Sequence, residues 1–119
     1  MDSSNQRLNM KLLTETIKKR FKTVGSQDNT ADPLVIAKFF NPTGQGTWLA
    51  TEYDAESRLF FGYVSLFGDH NDELGSFSLD ELESVKSSFG LGIERDLYTG
   101  EKRLSEYKDQ IPSLKSIYN

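Results

Sequence analysis

Between Pro33 and Leu79 the apolar residues come in short β-branched and aromatic runs, separated by clusters of turn formers. That is the pattern of strands joined by tight turns. The runs are Leu34–Phe40, Thr47–Tyr53 and Arg58–Leu66, broken by Asn41–Gly46 and Asp54–Ser57, with a shorter fourth at Leu74–Phe77. Turns this short force antiparallel neighbours, because a parallel return needs a crossover of about a dozen residues. Along Arg58–Leu66, Phe60, Gly62, Val64 and Leu66 share one face, and Leu59, Phe61, Tyr63 and Ser65 the other. Both faces are apolar. The expectation is a central strand covered on two sides, with Phe60 or Phe61 as its keystone and Gly62 marking a bulge or a close backbone approach.

Outside this block the period changes. Leu13, Ile17, Phe21 and Val24 fall on one stripe at helical spacing, which predicts a helix over 12–23 stopped by Gly25. Ser78 followed by Glu81 is a capping box that opens a helix over 79–88, with Leu79, Leu82 and Val85 inward and Gly90 at its C-terminal stop. Ile93 and Leu97 suit a fifth strand near 92–97. Residues 1–9 read as a flexible arm. Residues 107–119 read as a loosely held tail, since Pro112 interrupts any helix there. The expectation is one α+β domain over 10–106: a mostly antiparallel four- to five-stranded sheet with two packed helices.

Composition narrows the chemistry. The chain has 119 residues, enough for one domain. It has no cysteine and one histidine, His70, so disulfides, thiolate sites and multi-histidine zinc sites are excluded within one chain. No metal and no cofactor is expected. No apolar run approaches the roughly 20 residues that span a bilayer, and Met1–Asn9 lacks an apolar signal core. The expectation is a cytoplasmic protein without a membrane partner. The net charge of −4 is unevenly spread. Residues 1–30 hold six basic and three acidic side chains, 31–85 two and ten, and 86–119 six and five. A basic first helix thus precedes an acidic middle, which bears on association and steering.

Three groups of side chains are candidates for function. Asp69, Asp72, Glu73, Asp80 and Glu81 form the candidate acidic surface for a protein partner. Lys18, Lys19, Arg20 and Lys22 on the first helix, with Trp48, are candidate nucleic-acid contacts. Glu52, Glu94, Arg95 and Asp96 are a candidate polar cluster, in which a buried guanidinium would be held by carboxylates. Asp69, His70 and Asp72 lack the order of a calcium loop and are explained by turn chemistry. No Ser-His-Asp order or phosphate loop is present, so no catalytic residue is assigned.

Six motifs taken together carry a resemblance: Met10–Thr14, Lys38–Pro42, Trp48–Glu52, Phe60–Val64, Gly75–Leu82 and Gly90–Leu97. Their order resembles a small bacterial family known as a domain of unknown function, whose members occur on plasmids, prophages and conjugative elements. The resemblance covers Met10 to Glu106. It brings no catalytic residue. It implies a stand-alone protein that acts on host or mobile-element machinery.

Three functional expectations follow. The first is a non-enzymatic protein-binding or inhibitor module whose acidic surface engages a host or element-encoded protein, such as a nucleic-acid-handling enzyme. The second is a single-stranded nucleic-acid-binding accessory protein using the basic helix and exposed aromatics Trp48, Tyr53 or Tyr63. The third is a small enzyme, which requires Glu52, Tyr53, His70, Glu94, Arg95 and Asp96 to converge.

Overall fold

The computed structural model describes residues 11–69, 71–85 and 91–118. The arm over 1–9, His70 and the helix stop at Gly90 lie outside the described residues. Over the described residues the chain is α+β, with two α-helices and two antiparallel sheets. The larger sheet is built from β2 (Ala37–Phe40), β3 (Thr47–Asp54), β4 (Leu59–Ser65), β5 (Glu73–Ser78) and β6 (Glu94–Arg95), in the order β5-β4-β3-β2-β6. A smaller pair joins β1 (Leu34–Val35) to β7 (Lys102–Arg103).

The expected first strand is thus split. The Ile36 N–H still donates to the Ala50 carbonyl at 2.8 Å. Upstream, Leu34 and Val35 turn away from β3 to pair with β7. The β3 edge they vacate is filled by Gln27, whose amide Nε2 donates to the carbonyls of Leu34 and Thr51 at 2.9 and 2.8 Å. Its Oε1 accepts from the Leu34 N–H at 2.7 Å. One buried glutamine therefore satisfies three backbone groups that strand pairing would otherwise satisfy.

Helix α1 spans Glu15–Val24. Thr14 caps it, accepting from the Ile17 N–H at 3.2 Å. Gly25, at a positive φ of 70°, ends it and donates to the Phe21 carbonyl, as the sequence predicted. Helix α2 spans Leu79–Ser84, and Ser78 caps it through a 3.2 Å bond from the Glu81 N–H. The helix stops short of the expected run over 79–88, of which residues 86–88 lie outside the described residues. Val85 is already extended, and it is exposed rather than inward.

Strand β4 is central, and its two faces meet different layers. Phe60 joins Phe21, Phe39 and Phe77 under the helices, with ring centroids 5.1–5.8 Å apart. Tyr63 and Leu49, on the opposite face, pack with Val35, Leu104, Tyr107 and Leu114. Phe60 is the keystone; Phe61 is 39% exposed and is not. Gly62 combines both expected roles. Its neighbour β3 bulges between Ala50 and Glu52, and a Cβ on Gly62 would stand 1.8 Å from the Leu49 carbonyl oxygen.

The expectation of a loose tail is overturned. Two 3-10 turns, Leu104–Tyr107 and Pro112–Ser116, cover the part of the second face around Leu49 and Tyr63. Leu104, Tyr107, Ile111 and Leu114 recur at helical spacing and are all buried. Pro112 opens the second turn, where its fixed φ and missing N–H are tolerated, instead of ending the structure. The fifth strand forms, but shortened to the two residues of β6.

Candidate interaction surfaces

The second face of the sheet is covered only over part of its area. Leu59 and Phe61 of β4 and Leu74 of β5 are 40%, 39% and 45% exposed. Alternation puts Leu59, Phe61 and Tyr63 on one side, and the Tyr63↔Leu74 and Phe61↔Ser76 pairs bring Leu74 diagonally beside Phe61. Strand β5 pairs with β4 alone among the described residues, so its outer edge is open. Near the far end of this strip a groove of about 390 Å³ is lined by Lys22, Glu52, Tyr53, Asp54, Phe61 and Ser76, among others.

The candidate acids divide between the two ends of β5. Register pairs Glu73 with Val64 at one end and Ser78 with Leu59 at the other. The ends of β5, Glu73 and Ser78, are five residues or roughly 17 Å apart, which sets Asp69 and Glu73 well away from Asp80 and Glu81. The closer neighbours of Asp80 and Glu81 are Asp54 and Glu56, because Leu59 also pairs with Asp54. The expected patch of five acids is thus two separate groups.

They also differ in availability. Asp69, Glu73 and Glu81 are exposed, although Asp69 Oδ1 accepts the Asn71 N–H in a local turn. Asp72 is committed to the interior. Its Oδ2 accepts from the Ser65 and Ser113 hydroxyls, both at 2.8 Å, and Ser113 Oγ lies 2.7 Å from the Tyr63 hydroxyl. Asp80 is paired with Arg58 at 2.8 Å. Arg58 reaches Glu83 as well, at 3.4 Å, and its own carbonyl accepts the Leu79 N–H that begins α2. Arg58 has a positive φ of 59°, a conformation costly for a residue with a Cβ. The sequence reading missed it, and the signal was its place after a four-residue polar turn. The Asp54 carboxyl is held below the usual range by the Ser57 hydroxyl and then the Ser57 N–H.

The polar cluster does not assemble. Arg95 sits on β6 opposite Phe39, which pairs with Trp48 of β3. Glu52 lies two strands over and four residues further along. There it accepts the Gln27 N–H at 3.0 Å. The Arg95 guanidinium donates to the carbonyls of Lys11 and, at 2.9 Å, Leu12, tying down the segment that leads into α1. Burial lowers its pKa from the ordinary value. Asp96 turns toward its own loop. Burial raises its carboxyl, but the Thr99 hydroxyl, the Tyr98 and Thr99 N–H groups and the Lys38 ammonium at 3.6 Å outweigh this and hold it low. Glu94 is half-buried opposite Phe40. His70 lies outside the described residues, so the convergence that the enzyme reading requires fails at Glu52 and Arg95.

On α1, Lys18 pairs with Glu15 at 3.3 Å, and Arg20 makes a two-pronged bond to Glu101 at 2.7 and 2.9 Å. Lys19 and Lys22 are exposed and unpaired. Trp48 is half-buried against the first core and Tyr63 is buried, so neither presents a free face for stacking. Among the described residues the most exposed aromatic is Tyr98, 93% accessible, ahead of Phe67 at 66%; the sequence reading gave Tyr98 no functional role.

Among the described residues, no helix is long and apolar enough to cross a membrane. No curated protein and no solved structure matches the chain. A family model does match, over residues 8–118, and so takes in both the segment held by Arg95 and the C-terminal layer that the motif-based resemblance had left out. The chain belongs to the family described as "Protein of unknown function (DUF2958)".

Proposed function

We propose that this chain is a non-enzymatic protein-binding module that acts on host or mobile-element machinery, and that it engages a positively charged partner through β4 and β5. The observation that carries the reading is the exposed strip of Leu59, Phe61 and Leu74 beside an open strand edge, with unpaired acids at its ends. Apolar anchors inside a charged rim are the arrangement that supplies affinity at the centre and steering at the edge. Asp69 and Glu73 guard one end; Asp54, Glu56 and Glu81 guard the other. The overall charge of −4, against the basic first helix, directs such a partner to this side.

The test compares three tagged forms in pull-downs from the host at low and high salt. These are wild type, Phe61→Ala with Leu74→Ser, and Asp69→Lys with Glu73→Lys. A basic protein retained by wild type, lost with the apolar double variant and weakened with the charge variant supports the reading. Identical capture by all three forms overturns it. A nuclease or other nucleic-acid-handling enzyme as the captured protein would identify the module as its inhibitor or adaptor, according to the effect on activity.

A further inference from the structure

The edges of the five-stranded sheet are β6, of two residues, and β5, of six. Two hydrogen bonds settle which backbone groups of β5 face outward. The Leu79 N–H donates to the Arg58 carbonyl at 3.0 Å, one step beyond the Leu59↔Ser78 pair. The Phe61 carbonyl accepts from the Thr51 hydroxyl of β3 at 3.1 Å, and so points away from β5. Bonded and non-bonded pairs alternate along an antiparallel ladder. Phe60↔Phe77, Gly62↔Gly75 and Val64↔Glu73 are therefore the bonded pairs. The N–H and C=O groups of Leu74 and Ser76 point out from the open edge, and among the described residues nothing bonds to them. The strand carries no lysine, proline or bulge to guard that edge.

A hollow of about 220 Å³ lies beside the edge, lined by Val64, Leu66, Phe67, Glu73, Gly75 and Ser76, among others. Leu66 and Phe67 are exposed. Gly75 keeps the hollow open, since a Cβ there would meet nothing within 4 Å. In an added strand, the residue opposite Gly75 shares its face and sends its side chain toward this hollow. The residues on either side of it fall on the other face, with Leu74 and Phe61.

We propose that β5 is a site of strand addition: an extended segment of a protein partner pairs with Leu74 and Ser76, placing a large apolar side chain opposite Gly75 and basic residues toward its ends. The inference rests on the reading of β4 and β5 as a protein-binding surface and names the form that the partner presents. Charge decides between a foreign segment and a second copy of this chain. Asp69 and Glu73 are exposed at one end of β5 and Glu81 at the other. A second copy would set its own acids against these, in a molecule of net charge −4, whereas basic flanks complement them.

The experiment selects displayed random peptides, about ten residues long, on the immobilised full chain, and measures the enriched sequences as synthetic peptides by fluorescence anisotropy. Alternating sequences with one large apolar position and Lys or Arg toward the ends are expected. Methylating one set of alternate backbone nitrogens should weaken binding at least roughly tenfold, and methylating the other set much less. Ser76→Pro removes an outward N–H and no ladder bond, so it should melt near wild type and bind at least roughly fivefold more weakly. Gly75→Leu fills the hollow and should turn the preference at the large position toward alanine. Where Ser76→Pro melts early, the methylated peptides decide. Host-protein capture that depends on Phe61 and Leu74 but is unchanged by a folded Ser76→Pro leaves the protein-binding reading in place and overturns strand addition. No enriched peptide, equal effects of the two methylation sets, or a wild-type dimer that Ser76→Pro dissociates would each overturn it as well.

Discussion

Asp72 and Ser113 are joined by a 2.8 Å hydrogen bond that fastens the C-terminal layer to the β4–β5 turn. The same carboxylate oxygen accepts from Ser65, so one side chain in an acidic turn ties three parts of the chain together. Bonds to an ionised acceptor in a partly buried site are worth about 1.5–3 kcal/mol each before compensation. Asp72→Ala should therefore lower stability by roughly 2 kcal/mol, with an earlier urea midpoint. The Asp69→Lys and Glu73→Lys pair should change it by less than about 1 kcal/mol. Equal midpoints for Asp72→Ala and wild type would mean that the network carries no net stability.

Gln27 should be the least replaceable polar residue in the loop after α1. Gln27→Ala leaves the Thr51 carbonyl and both Leu34 groups without their partner, at about 1–3 kcal/mol for a buried unsatisfied group. Gln27→Glu should cost more than alanine. It removes the two N–H donors and sets carboxylate oxygens against two carbonyls. Urea unfolding of the two variants gives the order directly, and glutamate proving the milder change would show that the staple is not what holds the edge.

The two neighbouring phenylalanines of β4 should part company. Phe60 is 1% exposed and meets four other rings, so Phe60→Ala is expected to cost about 3–5 kcal/mol. Phe61→Ala should cost less than about 1 kcal/mol. Gly62→Ala, between them, should prevent normal folding, because the added carbon meets backbone on a bulged strand that has no flexible end to move aside. Thermal melts of the three variants rank them. A Phe61→Ala protein as unstable as Phe60→Ala would contradict the half-covered face.

The strands, the caps and the central role of β4 were legible because local patterns determine them. Alternation along Arg58–Leu66 and the Ser78–Glu81 spacing need no knowledge of the rest of the chain. Which of Phe60 and Phe61 is buried was not legible. That depends on how far the C-terminal layer reaches across the second face, a tertiary fact. The layer itself was signalled by Leu104, Tyr107, Ile111 and Leu114, but reading Pro112 as a terminator hid it. Gln27 and Asp72 look like ordinary loop residues because their partners are remote in sequence or were masked by turn chemistry.

Tyr107 should make stability fall steeply in alkali. Its ring is buried in the C-terminal layer, with the Lys38 and Lys102 ammonium groups each 5.8 Å from its centroid. Burial, and then the charges of Asp96 and Glu106, push its phenol up to about 12. An unfolded tyrosine ionises near 10. Below pH ~10 both states keep the proton and the contribution of Tyr107 is fully present. From about 10 to about 12 the unfolded chain releases a proton that the folded chain retains, so unfolding becomes easier by up to about 1.4 kcal/mol per pH unit. Above the folded value the contribution is gone. Tyr107→Phe removes the ionisable group while keeping the ring, so it should lose less stability than wild type between pH 8 and pH 11. Tyr63 and Tyr118 are also raised, chiefly by burial, and leave a residual slope in both proteins. Urea midpoints at the two pH values measure the difference, and parallel losses in wild type and Tyr107→Phe would show that the phenol does not resist ionisation in the folded chain.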